Sequence, residues 1–98
     1  MKFGLKDSDI KIIKEALKKF PEIEEALIFG SRAKGNQKKA SDIDIAIKGN
    51  AVSHETILKI KDLLEEETTL PYFFDVVHYE TISNVELKNH IDRVGRRI

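Results

Sequence analysis

Ninety-eight residues can bury one modest hydrophobic core but not two, so residues 1–98 are expected to form one domain. The seventeen basic and seventeen acidic side chains cancel, which argues against recruitment to nucleic acid or to a membrane by net charge. The chain lacks cysteine, excluding disulfides and thiolate metal sites. No apolar run approaches a signal core or a bilayer span, and together these features suit a cytoplasmic protein.

Asp7 or Ser8 is positioned to cap a first helix that runs to about Phe20, where Pro21 stops it. Ile10, Ile13, Leu17 and Phe20 form its apolar stripe, and its lysines face mostly elsewhere. Residues 23–29 read as a first strand with a buried end, followed by a short helical run over Ser31–Lys34 that Gly35-Asn36 breaks. Ile43, Ile45 and Ile47 alternate with Asp42, Asp44 and Ala46, giving a period-two strand with one apolar and one acidic face. Ser53 caps a helix to about Glu67, with Ile57, Ile60, Leu63 and Leu64 inward and the acids outward. Residues 73–79 supply a third strand. Ser83 or Asn84 opens a last helix whose stripe is Leu87, Ile91, Val94 and Ile98, with Gly95 weakening its final turn. Helices alternating with strands predict an α/β (α+β) fold in which helices pack on a small mixed, partly parallel sheet.

Chemistry concentrates between Phe29 and Ile47. Asp42 and Asp44 sit two residues apart on a strand, where side chains point to one face about 6.6 Å apart along the chain. Such carboxylates can converge on hard divalent cations, which Mg²⁺ exemplifies by binding one or two carboxylates together with substrate phosphates. Asp75 interrupts the apolar run Phe73, Phe74, Val76, Val77, and an unpaired carboxylate is costly to bury there. The economical reading places Asp75 beside Asp42 and Asp44. Gly30-Ser31, directly after a strand, lets backbone approach a ligand and offers a hydroxyl and free N–H groups to an anion. Arg32, Lys34, Lys38 and Lys39 would attract a polyphosphate, with solvated loop charge as the ordinary alternative.

Each part alone is weak. A lone D-x-D usually caps a turn or faces solvent, and Gly-Ser is ordinary turn chemistry. An EF-hand fits poorly because Ala46 and Ile47 fill the fifth and sixth loop positions. His54, His78 and His90 show no metal-ligand spacing and read as surface or packed histidines, while Tyr72, Phe73 and Phe74 read as core or interface.

The conjunction is more specific. Gly30-Ser31, ten residues, Asp42-Ile43-Asp44 and a later strand carrying Asp75 resemble the minimal nucleotidyltransferase branch of the DNA polymerase beta superfamily. The flanking GSRAKG and SDIDIAI are similar too, and the resemblance covers nearly the whole chain. It implies that Asp42 and Asp44 hold two Mg²⁺ ions, and that Asp75 completes one metal site and helps deprotonate an acceptor hydroxyl. Gly30 and Ser31 would grip the β- and γ-phosphates of ATP, with Arg32 and Lys34 as weaker phosphate contacts. The implied reaction is in-line attack on the α-phosphorus with release of pyrophosphate.

The resemblance also implies a partner, because so little chain follows Asp75. Similar minimal proteins are encoded beside a small all-helical protein of the HEPN or substrate-binding kind, for which they act as antitoxins, in some cases by transferring AMP to the partner. A silent binding subunit that neutralises such a partner by occlusion is the alternative, and homo- and hetero-oligomers both stay open. A D-x-D glycosyltransferase is disfavoured because it needs a larger nucleotide-sugar domain.

Overall fold

A computed structural model describes residues 2–38 and 41–98, so Lys39 of the basic loop lies outside the described residues. The first helix, α1 (Asp7–Leu17), is capped one residue before Asp7 and two before Ser8, the expected caps. Lys6 occupies the cap position, and the Asp9 carboxylate accepts the Lys6 N–H at 3.3 Å. Asp7 and Ser8 therefore lie inside the first turn. The helix closes at Leu17, three residues short of Phe20.

Among the described residues four strands follow: β1 (Glu25–Phe29), β2 (Ile43–Lys48), β3 (Phe74–His78) and β4 (Arg96–Arg97). They form one mixed sheet in the order β3-β2-β1-β4, with β2 and β3 parallel and β1 antiparallel to both of its neighbours. Between β1 and β2 lies α2 (Gly30–Lys34), closed by Gly35 in the left-handed conformation at φ 79°. The third helix, α3 (His54–Glu66), takes its cap from Ser53, whose side chain accepts the Thr56 N–H. A turn of 3-10 helix over Tyr79–Thr81 then leads to α4 (Val85–Val94), capped by the Asn84 side chain.

The fourth strand departs from the sequence expectation, which carries the last helix through to Ile98. Gly95 turns extended (φ −59°, ψ 138°), and Arg96 and Arg97 pair with Ile28 and Leu27. The Ile98 N–H then donates to the Ala26 carbonyl at 3.0 Å. A Cβ at Gly95 would press on the Ile91 carbonyl and the Leu27 side chain, so only glycine fits this bend comfortably. Ile98 thus joins the core from an edge strand rather than from a helix stripe.

The sheet separates two apolar layers. On one face Ile28, Ile43, Ile45, Ile47 and Phe74 pack with Ile13 and Leu17 of α1 and Ile57, Ile60 and Leu64 of α3. The three isoleucines of β2 are completely buried, which holds that strand rigidly at about 1.5–3 kcal/mol per side chain. On the other face Phe29 and Ala46 meet Ile91 of α4, with Leu87 and Val77 alongside. The second face of β2 is therefore not acidic throughout: Ala46 lies under α4, while Asp44 stands beyond the covered part. No helix of the described residues is long and apolar enough to cross a membrane.

Candidate active site

The C-terminal end of β1 and the N-terminal ends of β2 and β3 meet at one end of the sheet, and the candidate residues gather there. Asp44 is the register partner of Phe29 on one side and of Asp75 on the other. Parallel pairing puts the Asp44 and Asp75 side chains on the same face. Asp42, one residue before β2, points the same way by the period-two rule. Two strands that are distant in sequence thus bring their carboxylates side by side.

The expected reason for this pairing needs correction. Asp75 is exposed rather than buried within its apolar strand, and Asp42 is exposed too, while Asp44 is half-buried. The buried side chains of β3 are Phe74 and Val76, on the other face. Asp75 needs no metal to offset burial; its place is set by register.

Asp44 bears the electrostatic strain of the arrangement. Burial first, then the neighbouring carboxylates of Asp75 and Asp42, push its pKa up from the ordinary 3.8 to about 6, while Arg32 alone acts downward. Negative charge has thus been concentrated without enough positive charge inside the protein to balance it. Among the described residues no three carboxylate or imidazole groups close around one point to enclose a metal ion. The carboxylates are near enough to repel one another, yet they form an open shelf rather than a cage. An oxygen-seeking divalent cation that also binds phosphate suits such a shelf.

Gly30 is fitted against Asp44. Its φ is 73°, and a Cβ there would overlap Asp44 Oδ2. Both facts demand glycine. Its N–H, however, donates to Nε2 of His90 at 3.2 Å. The clearest service of Gly30 is therefore to leave room for Asp44, and the half-buried Ser31 is the nearer candidate for gripping phosphate.

Arg32 is placed differently from a free phosphate contact. Its side chain is 2% exposed. Nε and Nη2 donate to the Ser41 carbonyl at 3.2 and 2.7 Å, and Nη1 donates to the Phe3 carbonyl at 2.8 Å. The guanidinium also lies 5.0 Å from the centre of the Tyr72 ring. Arg32 thus ties α2 to the residue just before Asp42, and its charge reaches Asp44 through space. Lys34 is exposed at the end of α2. A separate cleft of about 480 Å³, whose lining includes Lys2, Lys14, Arg32, Arg96 and Arg97, has no Asp or Glu side chain among the described residues that line it. Chemistry rather than concavity therefore locates the site.

Two positioning contacts escape sequence reasoning. One is the bond from Gly30 to His90. The other is Glu65, expected to be a solvated acid of α3. Its carboxylate accepts the Phe74 N–H at 2.7 Å and pairs with Lys61 at 2.9 Å, fixing the start of β3 just before Asp75. The Phe74 N–H, followed by Lys61, holds its pKa below the ordinary value. Neither contact leaves a local signal, because both join residues whose proximity is created by the fold.

Comparison with known proteins agrees with this geometry. The family model described as "Polymerase beta, Nucleotidyltransferase" matches residues 11–98. No curated protein matches the chain in sequence. Among solved structures, a toxin–antitoxin complex with AMP-PNP is 25% identical, with a TM-score of 0.74 over 91% of this chain and 70% of that one. The Y104A mutant of the toxin–antitoxin MntA–HpeT is also 25% identical, at a TM-score of 0.74 over 96% and 72%. An MNT antitoxin in complex with the tri-AMPylated Shewanella oneidensis HEPN toxin is 21% identical, at a TM-score of 0.66 over 91% and 66%, and shares the fold. The chain belongs to the polymerase beta nucleotidyltransferase family.

Proposed function

We propose that residues 1–98 act as one nucleotidyltransferase unit that moves AMP from ATP to a hydroxyl group on a HEPN-type partner, as the antitoxin of a toxin–antitoxin pair. The observation that carries this reading is Asp44, wedged between Gly30 and Asp75 with its pKa raised by burial and by its neighbouring carboxylates. A site that accumulates negative charge against a glycine left bare suits a divalent cation that carries a phosphate-bearing ligand with it. The neighbour crystallised with AMP-PNP supports an adenine nucleotide, and the toxin–antitoxin neighbours support the partner. An ATP-consuming role would suit a protein of the cytoplasm.

Asp42, Asp44 and Asp75 would hold Mg²⁺, with two ions as the expected number. When bound, Mg²⁺ neutralises carboxylate and phosphate charge and acts as a Lewis acid toward the phosphoryl oxygens. Ser31 and the N–H groups of α2 that follow Gly30 would hold the terminal phosphates, and Lys34 would lend charge from the rim. Asp75, exposed beside Asp44, would take the proton of the attacking hydroxyl. That oxygen bonds to the α-phosphorus as the bond to the bridging oxygen breaks, and pyrophosphate leaves. Proximity and electrostatics supply most of the catalysis in such transfers.

The test incubates the protein with labelled ATP, Mg²⁺ and the product of the neighbouring reading frame. Label should move to the partner, and Asp42→Asn with Asp44→Asn should abolish the transfer. If the double variant protects cells from the partner as well as wild type does, occlusion replaces transfer as the mechanism.

A further inference from the structure

We propose that His90 is a positioning residue for this reaction: from α4 it fixes the Gly30 peptide and so aligns the phosphate-binding turn with Asp44. The inference rests on the nucleotidyltransferase reading above and adds to it a residue outside the G-S and D-x-D motifs.

The need for such a group follows from α2 itself. A helix of five residues has almost no stability of its own, and its first N–H groups have no partners within it. The position that would normally cap it is Phe29, which has no side-chain acceptor and makes no cap bond. His90, sixty residues away in sequence, supplies the missing acceptor through Nε2 at 3.2 Å. Because an N–H can only donate, Nε2 must present its lone pair there.

Its own position is well determined. The imidazole packs edge-on to the Phe29 ring, with centroids 6.0 Å apart and planes at 77°. The next residue, Ile91, is 1% exposed and packs with Phe29 and Ala46, anchoring α4 to the strands that lead into Gly30 and carry Asp44. His90 therefore joins a rigid helix to the one peptide that must pass close to Asp44 Oδ2. If that peptide rotated, Gly30 would either collide with Asp44 or withdraw from it, and Ser31 would swing with it. Misplacement of about 1 Å in a phosphoryl-transfer site can cost about a hundredfold in rate.

The bond also refines how the turn meets phosphate. With the Gly30 N–H committed to His90, the anion is left to Ser31 and the N–H groups that follow, which keeps it clear of the Asp44 carboxylate.

The test compares wild type with His90→Ala, His90→Gln and, as a packing control, Ile91→Val. Glutamine retains an acceptor oxygen, and Ile91→Val loosens α4 without touching Gly30. Amide exchange at Gly30, measured without nucleotide, should quicken about fivefold or more in His90→Ala, as expected for loss of one hydrogen bond. It should recover in His90→Gln and change little in Ile91→Val. With ATP, Mg²⁺ and the partner, His90→Ala should lose about tenfold or more in kcat, with a smaller change in KM for ATP, and His90→Gln should regain most of it. Equal Gly30 exchange in wild type and His90→Ala overturns the inference, whatever the activity. So does loss of kcat in Ile91→Val matching that in His90→Ala. If wild type itself transfers nothing while the exchange pattern appears as stated, the assigned reaction fails but His90 still fixes the turn.

Discussion

Replacing Asp44 with asparagine should make the protein more stable and inactive at once. In the unfolded chain the carboxyl titrates near 3.8, and in the folded protein near 6. Between those values the native state holds the extra proton, so stability falls as pH rises from about 4 to about 6 and stays low above. Taken in full, about two pH units correspond to roughly 3 kcal/mol. Asp44 is only half-buried and its repelling neighbours are exposed, so solvent screening reduces the usable part to about 1 kcal/mol. Asp44→Asn removes the charge while keeping the shape. At pH 7.5 and low salt its melting temperature should exceed that of wild type by about 4–8 °C, the shift expected for about 1 kcal/mol in a domain of this size. Below pH 4 the two curves should converge. Thermal melts followed by circular dichroism across pH 4 to 7.5 measure this directly. An Asn variant that is no more stable at pH 7.5, or whose pH profile parallels wild type, would show that Asp44 is not a strained carboxylate.

Three other substitutions probe the parts around it. Gly30→Ala forces a Cβ into Asp44 Oδ2 at a φ of 73°, so transfer should fall about a hundredfold or more and unfolding free energy by about 1–3 kcal/mol, read by activity assay and urea titration. Arg32→Lys should destabilise by about 2–4 kcal/mol, because an ammonium cannot span the Ser41 and Phe3 carbonyls as the planar fork does. If urea unfolding shows no loss, the guanidinium is not the tie between α2 and Asp42. Glu65→Gln should cost about 1 kcal/mol at neutral pH. Since the folded pKa of Glu65 is lowered, its contribution is present above the unfolded value and is lost as pH falls through the folded one. Wild type and variant should therefore converge in acid, and a gap that persists at low pH would count against the Phe74 contact.

What the sequence made legible follows from which information is local. The alternation of Ile43, Ile45 and Ile47 with Asp42 and Asp44 depends on nothing but strand period, and that face is buried as the period demands. Caps at Ser53 and Asn84 are equally local. Asp75 was legible as a neighbour of Asp44 but not in its exposure, because an apolar run does not say which strand end a helix leaves open. The two-residue strand Arg96–Arg97 exists only because β1 offers it an edge, so no propensity announces it. Arg32 sits in a loop-like basic run, yet its burial depends on Phe3 and Tyr72, which only the fold supplies. His90 and Glu65 share that character: each acts on a backbone N–H that is adjacent only after folding.

The most direct test of the central claim is the intact mass of the partner protein after co-expression with this chain. Co-expression with wild type should yield partner molecules carrying one or more adenylyl groups, and co-expression with the Asp42→Asn, Asp44→Asn variant should yield unmodified partner. Partner of unmodified mass in both cases, with the protein folded and ATP present, would contradict the assignment of Asp42, Asp44 and Asp75 to nucleotidyl transfer.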